Sequence, residues 1–309
     1  MASNTKKLVI FICCGFFFYL VFYDVNSFIA AGRSGLELVS VSIVPVLFPF
    51  FFVTSFMVES GLFTSTPKFF SRITSKVYKV DGKAAPVLFL GIVGGFPTSA
   101  RMLSELYSRG EITRQDAIRI STFTSTASPI FIIGTVGVSL YASVQLGIII
   151  FVSTVTGAII NGLLYRNVRF NSTNHVPKNA VGLSYPKDTS TALANALTSA
   201  IQSILSVGGL IIIFFIIGNQ LDILLNLSPV FDTMFSSVLE MTTGVFKASN
   251  LGAQIFVPLA IISFGGLCVA LQGMLFFKKY DMPFWFYLLY KSTHMILSIG
   301  VAALVMIFI

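Results

Sequence analysis

The chain has 309 residues, of which 55% are hydrophobic and only 10% are charged, and its mean hydropathy is +0.88. A soluble domain carries about 25% charged residues, and a soluble protein of this length has too little interior to bury so much apolar surface. The composition therefore excludes an ordinary soluble protein and indicates repeated crossing of a bilayer. The net charge of +8 predicts no nucleic-acid partner, because basic residues collect in cytoplasmic loops of membrane proteins.

The first apolar segment runs from residue 8 to about residue 29 and follows the basic pair Lys6 and Lys7. A basic pair before an apolar stretch is typical of a signal peptide. Because many apolar segments follow, we interpret residues 1–35 as a signal-anchor helix that is retained, with its N-terminus in the cytoplasm.

Eight more apolar segments follow, and six of them are uniform enough to cross a bilayer as helices of about 20 residues. The other two, residues 84–103 and 230–249, contain helix breakers or polar side chains. Backbone at membrane depth is irregular only where protein or water satisfies its polar groups. We therefore predict that both are re-entrant hairpins. The six predicted spans cover residues 38–58, 118–141, 144–165, 192–221, 251–277 and 284–309.

The basic residues support this arrangement. If both hairpins return to the side that they enter from, most of the 20 Lys and Arg residues lie in the cytoplasm, as the positive-inside rule requires. Arg101 is one of the residues placed in the cytoplasm. Arg33 and Lys247 are placed on the outer side of the membrane, and Lys291 lies within the last span. The predicted fold is an all-α polytopic membrane protein with about seven transmembrane helices and two re-entrant hairpins in inverted-topology repeats.

The predicted halves have the same order of elements and opposite topology, as in many secondary transporters. The first is residues 36–165, with the hairpin 84–103, and the second is residues 191–277, with the hairpin 230–249. A polar cytoplasmic linker, residues 166–190, joins them. A C-terminal transmembrane helix, residues 278–309, completes the chain.

Several motifs are similar to those of a known family. They are Pro-Val-Leu-Phe-Pro-Phe-Phe at residues 45–51, Gly-Phe-Pro-Thr-Ser-Ala-Arg at 95–101, and Ser-Pro-Ile-Phe-Ile-Ile-Gly-Thr-Val-Gly at 128–137, with Leu-Glu-Met-Thr-Thr-Gly at 239–244 and Phe-Gly-Gly-Leu at 264–267. Over roughly residues 38–273 the chain resembles the YlbJ-type sporulation integral membrane proteins. The resemblance implies a gate, or nucleoside-recognition, domain shared distantly with concentrative nucleoside transporters and the ferrous-iron permease FeoB. It also implies an association with sporulation.

The first hairpin is the strongest candidate for a substrate site. Its glycines, Gly94 and Gly95, allow backbone amides to approach a ligand, and Pro97 breaks the helix. Thr98 and Ser99 add hydroxyl groups at the break. Small residues for close helix packing are the alternative interpretation.

Hydroxyl groups also lie in the middle of the span 118–141, at Ser125, Thr126 and Ser128, next to Pro129. They fit the lining of a polar solute path opposite the first hairpin. The alternative is that they satisfy the carbonyl that Pro129 leaves free.

The second hairpin carries Glu240, with Thr242, Thr243 and Gly244 after it. An ionisable residue at membrane depth is costly and usually functional. We therefore expect Glu240 to bind a cation, a proton or a solute amine. The alternative is a helix cap at an aqueous interface.

Lys291 and His294 are three residues apart in the last span and share one helix face. We expect Lys291 to extend its side chain to the inner interface. The alternative is a proton relay with His294, whose imidazole titrates near neutrality; Glu240, Lys291 and His294 are then the candidate coupling residues.

No HExxH, Walker or GxSxG motif occurs, and two histidines do not form a multi-histidine metal site. We therefore expect no catalytic residue, no metal, no cofactor and no enzymatic activity. The predicted function is transport of a small polar solute, nucleoside-like or ionic, across the bacterial plasma membrane by alternating access. The alternative is a non-transporting scaffold for spore or envelope assembly. Expected partners are the lipid bilayer, the solute, and a second copy or another membrane protein.

Overall fold

A computed structural model describes residues 2–62, 68–170 and 188–308, and these residues form helices and short connections without any β-strand. The all-α prediction is confirmed. The α-helices in chain order are α1 (Ala2–Tyr23), α2 (Val25–Glu37), α3 (Val44–Glu59), α4 (Lys68–Val77), α5 (Ala84–Gly94), α6 (Phe96–Ser108), α7 (Arg114–Thr124), α8 (Val144–Tyr165), α9 (Thr189–Leu225), α10 (Pro229–Leu239), α11 (Met241–Asn250), α12 (Phe256–Phe264), α13 (Gly266–Phe277) and α14 (Phe284–Ile307).

Five helices among the described residues are long and apolar enough to cross a membrane. They are Val25–Glu59, Val144–Tyr165, Thr189–Leu225, Phe256–Tyr280 and Phe284–Ile307, and the shorter apolar helices are Phe11–Tyr23, Ala84–Gly94 and Ile130–Leu140. Most of the predicted linker, residues 171–187, lies outside the described residues.

The boundary between the first two spans differs from the prediction. Helix α1 ends at Tyr23, and Asp24 caps α2 by accepting hydrogen bonds from the backbone N–H of Ser27 at 3.0 Å and from its hydroxyl at 2.7 Å. From Val25 the chain remains helical to Glu59, through a π-helical segment at Leu38–Ile43. The predicted boundary after residue 35 therefore lies inside a continuous helix. The single polar residue Asp24 interrupts the helix because its carboxylate competes for backbone N–H groups.

The helix Val25–Glu59 packs along most of α9. The two helices are antiparallel, because residues late in Val25–Glu59 contact residues early in α9, and residues early in Val25–Glu59 contact residues late in α9. Three of the contacting pairs are Glu59 with Asn195, Val39 with Gly208, and Gly32 with Ile216.

Both segments that were predicted as hairpins fold back on themselves. The first turns at Gly95, whose φ of 82° favours glycine, and Gly91 in α5 then lies directly against Ser99 in α6. It extends beyond residue 103, because α6 continues to Ser108. The second turns at Glu240, between α10 and α11, where Gly244 lies against Ser237.

Two segments that were predicted as continuous spans are interrupted. An extended stretch, residues 125–128, separates α7 from a π-helical segment at Ile130–Leu140. A change to positive φ at Gly265 and Gly266 separates α12 from α13. Each interruption follows a hairpin in the chain, and each leaves backbone polar groups outside the regular hydrogen-bond pattern.

Small residues and polar side chains join the remaining helices. Gly157 in α8 lies against Ser298 in α14. The buried amide of Asn161 donates to the carbonyl of Thr122 at 2.9 Å and to that of Tyr290 at 3.1 Å. Helices α7, α8 and α14 are therefore fixed together around one side chain.

Arg101 lies inside the protein and is not among the exposed basic residues, which corrects the predicted placement. Its side chain is 2% exposed and donates to the carbonyl of Phe51 at 2.7 Å and to the hydroxyl of Ser199 at 2.9 Å. It also donates to Ser55 and forms an ion pair with Glu105 at 2.9 Å. Arg101 thus connects the first hairpin to both α3 and α9.

Candidate functional site at the central cavity

The tips of the two hairpins and the gaps in the two interrupted helices meet at one cavity of about 260 Å³. Irregular backbone can lie inside a membrane protein where it borders such a cavity, so the cavity accounts for all four interruptions together. Residues from the site predictions that line it are Gly94, Gly95, Pro97, Ser125, Thr126, Ser128, Glu240, Thr242 and Lys291.

Two predicted residues of the first hairpin satisfy the backbone and do not line the cavity. The hydroxyl of Thr98 donates to the carbonyl of Gly94 at 3.0 Å. The hydroxyl of Ser99 donates to the carbonyl of Phe96 at 3.0 Å. Both side chains are buried, and they stabilise the tip that presents Gly95 and Pro97 to the cavity.

Three other predicted residues also lie outside the lining. Thr243 borders a smaller neighbouring pocket, and Glu240 lies at the border of both. Gly244 allows α11 to approach α10 at Ser237. His294 is buried behind Lys291.

The interrupted segment at residues 125–128 exposes unused polar groups to the cavity. The hydroxyl oxygens of Ser125 and Thr126 are buried and have no hydrogen-bond partner among the described residues. Ser128 instead accepts from the backbone N–H of Phe131 at 3.3 Å, at the start of the π-helical segment. A buried hydroxyl without a partner is costly, so this segment is well suited to hydrogen-bond a polar ligand.

Glu240 caps α11 from inside the protein. Its two carboxylate oxygens accept the backbone N–H of Thr242 at 2.9 Å and of Thr243 at 2.7 Å, and the Thr243 hydroxyl at 3.0 Å. The residue is 6% exposed. Glu240 is therefore the cap of α11, as the helix-cap alternative predicts. The carboxylate supplies a negative charge at the positive end of α11.

Replacing Glu240 is expected to destabilise the second hairpin. In Glu240→Ala, two buried backbone N–H groups lose their acceptors, and the free energy of unfolding should fall by about 2 kcal/mol. Glu240→Gln keeps one acceptor oxygen and should lose less. Thr243→Val removes only one hydrogen bond and is the matched control. Thermal unfolding in detergent micelles measures all three, and a Glu240→Ala loss no larger than that of Thr243→Val would contradict the capping role.

Lys291 does not reach the inner interface, so that expectation is wrong. Its side chain is 2% exposed, and its amine donates to the carbonyl of Ser125 at 3.1 Å. His294 Nε2 lies 2.9 Å from the carbonyl of Thr154 and must donate to it, which leaves Nδ1 as an acceptor 3.5 Å from the amine. A protonated amine has three N–H groups, so one remains for a ligand in the cavity.

No carboxylate among the described residues forms an ion pair with Lys291. Helices α6 and α13 also begin at the cavity, and neither N-terminus has a side-chain cap. Helix N-termini attract negative charge. The cavity lining therefore combines these positive groups with one carboxylate, that of Glu240, whose oxygens accept from the N-terminus of α11.

The lining contains three further polar residues outside the predicted site, Ser42, Thr135 and Gln272. Gln272 is 4% exposed and donates to the sulfur of Cys268 at 3.2 Å. The sequence indicates Gln272 by the same argument as Glu240, more weakly because an amide carries no charge. Single hydroxyl groups such as those of Ser42 and Thr135 are too common in transmembrane helices to be distinguished by sequence.

The fold and the cavity define a polytopic integral membrane protein whose interrupted helices enclose a cavity lined by apolar and polar residues. Residues 40–144 match the family model described as Gate, nucleoside recognition. This range includes α3, the first hairpin and the first interrupted helix, and therefore two of the interruptions at the cavity. The gate domain implied by the motifs is confirmed.

The chain is similar to the sporulation integral membrane protein YlbJ of Bacillus subtilis strain 168, with 26% identity over 276 residues. The alignment covers 83% of this chain and 65% of that relative, so the chain spans less than two thirds of the relative's length. The resemblance to YlbJ-type proteins is also confirmed. No solved structure gives a significant match.

Proposed function

We propose that the chain crosses the membrane seven times, with two re-entrant hairpins. The five long apolar helices supply five crossings. Helix α1 and the interrupted helix formed by α7 and Ile130–Leu140 supply two more, because each contains an apolar stretch next to further helical residues. In this topology the N-terminus is cytoplasmic and the membrane is the bacterial plasma membrane.

The two halves are proposed to be inverted repeats. Each has a long helix, a hairpin, an interrupted helix and a second long helix, so α3 corresponds to α9 and α8 to α14. The two members of each pair pack against each other, as elements related by a two-fold axis do. The second half then includes α14, and the two hairpins approach the cavity from opposite sides.

We infer that the protein transports a small polar solute through the central cavity by alternating access. The observation that carries this inference is the convergence of four helix interruptions on one cavity whose largely apolar lining contains several polar groups, which is typical of secondary transporters. The relative's name suggests that transport serves sporulation. We propose no enzymatic activity, because the sequence contains no HExxH, Walker or GxSxG motif.

The solute is proposed to carry a carboxylate or another oxyanion. Lys291 has an unused N–H group, and the free N-termini of α6 and α13 favour a negative group beside it. The hydroxyls of Ser125 and Thr126 would donate to its remaining oxygens. Glu240 does not compete for Lys291 in this arrangement, because its oxygens are bound to α11.

Ligand binding can be tested by thermal stabilisation, since a ligand that binds the native state raises its apparent stability. Purified protein would be mixed with small carboxylates, inorganic phosphate, nucleosides, amino acids and divalent cations. We expect stabilisation by an organic anion and less or none by its uncharged amide or ester. Stabilisation only by nucleosides or divalent cations would contradict the proposed anion site. No stabilisation by any compound, from folded protein, would favour the membrane scaffold.

A further inference from the structure

Helix α4 carries an exposed apolar stripe outside the helix bundle. Phe69, Ile73 and Val77 are four residues apart and are 68%, 42% and 36% exposed. Residues at this spacing lie on one face of a helix. The helix has 10 residues and a length of about 15 Å, so it is too short to cross a bilayer.

A different face of α4 fixes its orientation on the protein. Thr74 is buried, and Tyr78, which follows the helix, stacks on Phe123 of α7 with 4.4 Å between the ring centroids. Ser71 packs so closely against Gly82 that a Cβ atom there would lie 2.8 Å from the Ser71 Cβ. Helix α4 is therefore held against the turn that leads into α5, with its apolar stripe facing away from this contact.

Basic residues flank the apolar stripe. Arg72 and Lys76 are exposed and one turn apart, and the helix contains no acidic residue. Neither forms an ion pair within the described part of the chain. Arg166, at the end of α8, adds a third cation where it donates to the carbonyl of Val77 at 3.4 Å.

An apolar stripe next to basic residues is the pattern of a helix that lies in the membrane interface. Apolar surface alone would also suit another protein, but the uncompensated positive charge fits anionic headgroups. We propose that α4 is an interfacial helix that binds anionic phospholipid through Arg72 and Lys76 and inserts the stripe among the acyl chains. Bound lipid would then hold the entry to the first hairpin at the membrane surface.

The test is a titration of the full-length protein in detergent with phosphatidylglycerol or phosphatidylcholine, with bound lipids counted by native mass spectrometry. Removing two interfacial cations in Arg72→Gln/Lys76→Gln should weaken phosphatidylglycerol binding roughly thirtyfold, with phosphatidylcholine binding unchanged. Lys278→Gln/Lys279→Gln removes the same charge from another exposed pair and should resemble the unmodified protein. Equal effects of the two double variants, or no effect of the first, would overturn the proposal.

The apolar stripe is tested separately with Ile73→Ser/Val77→Ser. Both residues are exposed, so the thermal unfolding temperature should change little, while the number of bound phosphatidylglycerol molecules should fall. If the variant instead changes the protein from dimer to monomer and lipid binding persists, the stripe contacts a second copy and the proposal is wrong.

Discussion

Lys291→Met should strongly weaken solute binding and at the same time stabilise the fold. Lys291 is buried and has no acidic partner among the described residues, so its charge is costly in the empty protein. Methionine has a similar length and no charge. We expect the affinity for an anionic solute to fall about 100-fold, because a buried charge pair with the solute can no longer form. The thermal unfolding temperature without solute should rise.

The opposite signs of the two effects distinguish a binding residue from a structural one. A structural lysine would lose stability and binding together when replaced. Lys279→Met changes an exposed lysine and should alter neither quantity. Binding is measured by calorimetry with the anion that stabilises the unmodified protein, and unchanged affinity in Lys291→Met would remove Lys291 from the site.

Arg101→Ala should lower the free energy of unfolding more than Glu240→Ala does. It leaves Glu105 without its ion pair and the buried carbonyl of Phe51 without its donor. Removing one partner of a buried ion pair costs about 3 kcal/mol or more. Thermal unfolding in micelles, followed by the fluorescence of Trp285, measures the loss. Arg101→Lys keeps the charge but cannot reproduce the contacts to both α3 and α9, so it should be intermediate.

If Arg101→Ala unfolds at the same temperature as the unmodified protein, the first hairpin is not held by this contact. Binding offers a second readout, because Arg101 does not line the cavity. A folded Arg101→Ala protein should bind solute more weakly only if the first hairpin has moved.

The two hairpins could be predicted from the sequence because their tips combine features that a membrane-spanning helix rarely has. Gly94, Gly95 and Pro97 occur together in an apolar segment, and Glu240 is a carboxylate in another. Both tips do line the cavity. The break at Gly265 could not be predicted in the same way, since paired glycines in an apolar helix are equally typical of close packing.

The direction of a long side chain was harder to predict than its position. Lys291 was correctly placed inside the last helix, but a lysine stem can extend toward either an interface or an interior cavity. The carbonyl of Ser125, which the interruption between α7 and Ile130–Leu140 makes available, determines the choice. That carbonyl belongs to a segment 166 residues away in the chain, so local sequence carries no information about it.

Asp24 illustrates the same limit at the N-terminal end. It lies between two apolar stretches, and an isolated acid there is compatible with a continuous span or with a helix cap. The structure contains the cap, and the following helix then extends to Glu59 because its partner α9 provides a long antiparallel surface.

Uptake by proteoliposomes shows whether solute crosses the membrane through the central cavity. Liposomes containing the unmodified protein or Lys291→Met would be given the radiolabelled anion that stabilises the protein, and internal label would be counted over time. Transport through the cavity predicts saturable uptake by the unmodified protein and none above the lipid background by Lys291→Met. Equal uptake by both proteins, or binding without any uptake by the unmodified protein, would contradict transport through this cavity.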